Sequence, residues 1–257
     1  MTGLEQVAVL LTGFFAGIMT STVGVASLLS FPVLLAVGLP PVVANASNTV
    51  GMTPAGLSGS FGYRSELGEH PGVTAAVLVT CAGGSVAGAA LLLALPPGVF
   101  EAVVPWLILF TCLLVGVSPR LNAWLRRNHA ARRGHEPEAR TRMSPVTTFF
   151  AVVTGMYGGY FGAGSGVMML AVLGLGVDLE FRILNALKTL AVMASNVVAT
   201  LIFVVVAELD WGAIALLAAG SIVGGYVGAR IGRLLPPALL RGLVVVVGVV
   251  AAGVMLT

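Results

Sequence analysis

Charge is scarce in this chain. Thirteen basic and ten acidic residues make up only 9% of its 257 positions, against about 25% in an ordinary soluble domain. That is too little polar surface to cover a soluble core of this size. The shortage excludes an ordinary soluble enzyme, a nucleic-acid-binding domain and a disordered chain. Cysteine is scarcer still. Cys81 and Cys112 both sit inside apolar runs, which excludes a secreted disulfide scaffold and makes them small core residues. The three histidines, His70, His129 and His135, lie near loops. Carboxylates are missing from the middle of every apolar stretch, since all ten fall in or near connections. This leaves no His/Cys/Asp/Glu cluster for a metal or for nucleophilic catalysis, so no cofactor and no enzymatic activity are expected. It also argues against a proton relay or sodium site built on Asp or Glu. A basic n-region and an A-x-A-like cleavage site are absent from the first residues, which therefore read as a membrane helix and not a signal peptide.

What is abundant is apolar. Hydrophobic residues make up 58% of the chain, with 34 glycines dispersed among them. Glycine inside an apolar helix permits close helix approach or a local break. Apolar stretches run over 4–22, 25–38, 42–62, 73–95, 99–117, 146–163, 166–177, 183–207, 211–229 and 239–256. Most reach the roughly 17–25 residues that span a bilayer. The second and seventh are short, and each follows a break, STVGVAS at 21–27 and GAGSG at 162–166. Each of these regions is compatible with one long helix, two crossings or a re-entrant hairpin. Arg120, Arg126, Arg127, Arg132, Arg133, Arg140 and Arg142 crowd the connection 118–145, and Arg230, Arg233 and Arg241 the connection 230–241. Both should be cytoplasmic by the positive-inside rule. An even number of crossings between them makes 146–177 a helix pair or a hairpin, not a single pass.

The two halves repeat. Gly13-x-x-x-Gly17 matches Gly155-x-x-x-Gly159, and Gly24 matches Gly166, at an offset of 142. Asn45-Ala46-x-x-Thr49 matches Asn185-Ala186-x-x-Thr189 at 140, as do Gly84-x-x-x-Gly88-Ala89 with Gly224-x-x-x-Gly228-Ala229 and Leu95-Pro96-Pro97 with Leu235-Pro236-Pro237. The expected fold is an all-α polytopic membrane protein, an inverted repeat of two five-helix halves with some helices short or re-entrant. The expected parts are a membrane repeat over 1–117, a cytoplasmic Arg-rich loop over 118–145 and a second repeat over 146–257. Inverted repeats are the plan of many secondary transporters, which bind substrate near the midplane between broken helices.

That plan selects the candidate site residues. Ser21, Thr22, Ser27 and Ser165 lie at the two breaks, where hydroxyls and helix N-terminal amides suit an anion; packing relief at helix crossings is the rival reading. Asn45 and Asn48 share a helix face, as do Asn185 and Lys188. At 1.5 Å per residue from Pro40, Asn48 lies about 12 Å along its helix, near the middle of a core about 30 Å thick, and Lys188 is equally deep by the repeat. Lys188 is the sole lysine of the chain. It either faces an anionic substrate or snorkels to the interface beside Arg182. Asn196 follows further along the same helix. A small anion and the lipid bilayer are the expected partners, with no nucleic acid; homodimerisation stays open.

The repeated unit resembles the sulfite exporter TauE/SafE family of membrane permeases. The resemblance rests on GMYGGYFGAGSGVMML at 155–170, the N-A-x-x-T pair, the GxxxGA…LPP ends of both halves and AAGSIVGGYVGARIGRLLPPALLRGLV at 218–244. It implies a multi-pass protein of the cell inner membrane that exports a small anion such as sulfite or an organosulfonate. A channel-like pore and a non-transporting membrane assembly factor are the alternatives.

Overall fold

The computed structural model describes the backbone of residues 2–22, 25–132, 142–231 and 237–256, and the side chains of these except 21–22, 126, 128–132, 228–231 and 237–240. All regular structure among them is helical: α1 (Gly3–Thr22), α2 (Ser27–Ala36), α3 (Pro41–Gly62), α4 (Arg64–Glu69), α5 (Pro71–Ala94), α6 (Pro97–Arg132), α7 (Pro145–Tyr160), α8 (Ser165–Gly176), α9 (Phe181–Val206), α10 (Trp211–Ile231) and α11 (Pro237–Leu256). Five of them begin on proline, which suits the first helical turn because its missing N–H would be unpaired there anyway. Gly3–Thr20, Pro71–Ala94, Pro97–Leu125 and Phe181–Val206 are long and apolar enough to cross a membrane, and further apolar helices are shorter. The chain is a multi-pass membrane protein.

Two features depart from the sequence reading. The short α4 occupies a connection expected to be irregular. In addition, α6 continues through Pro119 to Arg132, so the Arg-rich connection begins as an extension of a membrane helix. Arg133, Glu136, Glu138 and Arg140 of that connection, and Arg233, lie outside the described residues.

Helix packing follows the repeat. α1 packs most closely on α10, and α7, its counterpart in the second half, packs on α5, the counterpart of α10. α3 packs on α10 as α9 packs on α5, while α3 with α9 and α6 with α11 are pairs that map onto themselves. Each half therefore embraces the other. The matching glycine motifs make the two seams. A Cβ built on Gly13 would meet the Leu217 carbonyl oxygen at 2.6 Å, and one on Gly155 would meet Cys81 Cα at 2.7 Å. Backbones this close admit no side chain, which is the logic of small-xxx-small contacts in membranes.

The register of the seams gives direction. Gly13 lies against Leu217 and Gly17 against Ser221, while Gly84 lies against Val152 and Gly88 against Met156. Residue numbers rise together in both seams, so α1 runs parallel to α10 and α5 parallel to α7. A repeat with five alternating passes per half produces parallel seams only when the halves are inverted. α3 and α9 instead run antiparallel. Thr53 Oγ1 lies 3.5 Å from the Asn196 carbonyl oxygen, and a Cβ on Gly56 would meet Met193 Cα at 3.6 Å. The offset of 140 turns Thr53 into Met193 and Gly56 into Asn196. These two contacts are mates of one another, and the pseudo-two-fold axis passes between them.

Candidate functional site

The two helix breaks and the α3–α9 crossing meet at a small cavity of about 40 Å³, room for about three water molecules. Its wall includes Thr20, Ser27, Gly162, Gly164, Lys188, Thr189 and Asn196. α2 spans ten residues and α8 twelve, about 15 and 18 Å at the helical rise. Both are shorter than a bilayer core about 30 Å thick.

The second break is tightly built. Gly162 and Gly164 take φ of +79° and +77°, a region that costs an L-residue with a side chain about 1–2 kcal/mol. A Cβ on Gly164 would also meet Thr111 Cγ2 at 2.6 Å. The Tyr157 hydroxyl donates to the Ala163 carbonyl at 2.7 Å, and Thr111 Oγ1 lies 3.0 Å from the same oxygen. Ser165 Oγ donates to the Gly162 carbonyl at 2.8 Å. The loop is thus fixed by α6 and α7, and the N-terminus of α8 keeps its positive dipole end at the cavity.

Of the residues singled out from sequence, Ser27, Lys188 and Asn196 line the cavity together. Ser165 is buried beside it and holds the turn. Asn185 is half-buried outside the wall, with its carbonyl accepting from Thr189 Oγ1 at 2.9 Å. Asn45 and Asn48 lie elsewhere, both 1% exposed. Asn45 Nδ2 donates to the Tyr160 carbonyl at 2.9 Å, which closes the end of α7. Asn48 Oδ1 accepts from Ser30 Oγ of α2 at 2.5 Å. Ser21 and Thr22 end α1, and their side chains lie outside the described residues. Thr20 and Thr189 complete the wall without having been singled out. Thr189 was visible as the last residue of the N-A-x-x-T repeat; Thr20 carried no signal beyond its place before the break.

Lys188 is half-buried and has no hydrogen bond or ion pair among the described residues. No carboxylate lines the cavity among the described residues, and several acids are engaged elsewhere. Arg182 at the start of α9 forms a two-pronged bond with Glu69, at 2.7 and 3.0 Å, with Glu66 at 3.7 Å and Glu180 at 3.9 Å. The Ser65 hydroxyl beside it holds Glu66 below the usual carboxylate range. Asp210 caps α10 through the Ala213 amide at 2.8 Å. Lys188 thus shares the wall with four hydroxyl or amide side chains, Thr20, Ser27, Thr189 and Asn196, and with no carboxylate among the described residues.

The model of the family described as "Sulfite exporter TauE/SafE" matches residues 9–255. The chain belongs to this family. A "Probable membrane transporter protein" of Haemophilus influenzae is 26% identical over 250 residues, covering 95% of this chain and 92% of the relative. A "Probable membrane transporter protein ORF9" of a Sinorhizobium species is 25% identical over 245 residues, covering 93% and 87%. No solved structure matches the chain. The family match spans both halves and the Arg-rich connection, so the TauE/SafE unit is the whole repeat and not one half of it.

Proposed function

We propose that this TauE/SafE transporter exports a small anion, sulfite or an organosulfonate, across the inner membrane by alternating access around the cavity at the two breaks. The observation that carries the reading is Lys188: the chain's sole lysine lines that cavity and has no counter-charge among the described residues. An oxyanion would supply the charge, and Ser27 and Asn196 would supply donors to its oxygens. None of these donors is a second fixed charge in the wall, so the anion is held without being trapped. The inverted halves give the motion a simple form, in which one half rocks against the other along the two glycine seams. No enzymatic step belongs to this reading, and with no carboxylate in the wall a coupled proton would travel on the substrate.

The test is flux in proteoliposomes. Purified protein should take up radiolabelled sulfite or sulfonate with saturation, and internal unlabelled anion should accelerate it. Flux without saturation or counterflow would mark a channel-like pore. Absence of flux for any small anion would remove the transport reading and leave an assembly role.

A further inference from the structure

We propose that the groove between α7 and α8 is a binding site for an anionic phospholipid of the cytoplasmic leaflet, with the headgroup on Arg142 and an acyl chain along the apolar wall. The groove shares no wall residue with the transport cavity, so the proposal stands or falls independently of the transport reading.

The groove follows from how the second half begins. Ser144 caps α7, its Oγ accepting from the Thr147 amide at 3.1 Å. α8 runs back beside α7 and ends at Gly176, where a Cβ would collide with Thr147 Oγ1. The start of α7 and the end of α8 therefore lie at one face. By the positive-inside rule that face is cytoplasmic, because the Arg-rich connection leads into α7. Beside the Gly176–Thr147 contact lies a cavity of about 820 Å³. Val146 and Phe150 are one turn apart on α7, as are Ala171 and Leu175 on α8, so each pair presents one helix face to it. Val146, Phe150 and Leu175 are each at least half exposed. In a multi-pass protein such an opening faces lipid tails, while Arg142 and Ser144 stand at the headgroup end of the wall.

The rim decides which lipid. Arg142 is exposed and has no ion pair among the described residues, and no carboxylate among them lines the groove. Arg182 is the contrast. Only residues 177–180 separate α8 from α9, so Arg182 lies at the same face. It is met by Glu69 at 2.7 Å, with Glu66 and Glu180 close by. The protein thus neutralises one arginine of this face and leaves the other beside an apolar groove. The acyl chain alone gives no preference, because the bilayer it leaves is as apolar as the wall it joins. Charge does. A zwitterionic headgroup carries its own cation, whereas an anionic one brings a net charge for Arg142, and basic pockets between membrane helices on the cytoplasmic side take anionic headgroups. A soluble anion would meet the rim and leave the apolar wall uncovered.

The experiment is native mass spectrometry of the full chain purified in detergent, titrated with phosphatidylglycerol and phosphatidylcholine of identical acyl chains. In the one-lipid complex wild type should bind phosphatidylglycerol about fivefold more strongly, the scale of one basic residue against an anionic lipid. Arg142→Gln should lose that preference and Arg142→Lys should keep it. Arg120 is exposed on α6 outside the groove, so Arg120→Gln should leave the preference unchanged. Ala171→Phe should fill the groove and weaken both lipids, and soluble glycerol phosphate should displace neither. Lipid-free melting of each variant separates misfolding from lost binding. No retained lipid or no preference in wild type would overturn the proposal. So would an equal loss in Arg120→Gln, undiminished binding in Ala171→Phe, or displacement by glycerol phosphate.

Discussion

Asn48 and Lys188 occupy the same place in the repeat, and the protein uses the two places differently. Both sit eight residues into the central helix of their half. Asn48 faces α2 of its own half and is tied to Ser30. Lys188 faces the cavity and is tied to nothing described. The duplicated scaffold supplies two equivalent positions at depth. One became a bond that holds a short helix in place, and the other stayed an unmet charge. In an inverted repeat, function is to be sought where the symmetry fails and structure where it holds.

The glycine seams, where symmetry holds, should show the largest effects. Gly13→Leu and Gly155→Leu each force a side chain into a backbone contact, at a cost of about 3 kcal/mol or more. Both variants should lose the monodisperse folded peak on size-exclusion chromatography to the same degree. A large loss at one seam and none at the other would break the equivalence of the halves.

Next come the two central positions. Lys188→Gln should fold normally and lose anion affinity by at least about tenfold, the scale of one partly buried charge. Asn48→Ala should do the reverse. It removes the shorter of the Ser30 hydroxyl's two bonds and leaves the Ala26 carbonyl at 3.3 Å, so it should cost about 1 kcal/mol of stability, read as a lower melting temperature with substrate affinity unchanged. Lost affinity in Asn48→Ala at wild-type stability would undo the comparison.

The left-handed glycines sharpen it further. Gly164→Ala meets both a positive φ and Thr111, and should cost about 2 kcal/mol and impair flux. Gly38 has φ +87° but nothing within 4 Å, so Gly38→Ala should cost only about 1 kcal/mol and leave flux intact. The smallest effect belongs to Arg182→Gln. Its closest ion pair, with Glu69, is exposed, so the variant should change stability by less than about 1 kcal/mol, checked by melting in low and high salt.

Much of the fold was legible because it is written in glycine. Gly13, Gly17, Gly84, Gly88, Gly155 and Gly224 recur at fixed offsets, and they are the seam residues because no side chain fits there. The helix breaks were legible for a similar reason, since Gly162 and Gly164 adopt angles that other residues avoid. Lys188 stood out because charge at depth is rare. The continuation of α6 past residue 117 was not legible, because its polar end reads as a loop where only composition changes. The destination of Asn45 and Asn48 was also hidden. Periodicity puts both on one face, but whether that face meets a cavity or the Tyr160 carbonyl depends on packing from 115 residues away.

The most direct test of the central claim is equilibrium binding of radiolabelled sulfite to the purified protein, comparing wild type, Lys188→Gln and Asn48→Ala. Saturable binding in wild type and Asn48→Ala, with Lys188→Gln weakened by at least about tenfold, is the result the cavity predicts. Undiminished binding in Lys188→Gln would contradict it.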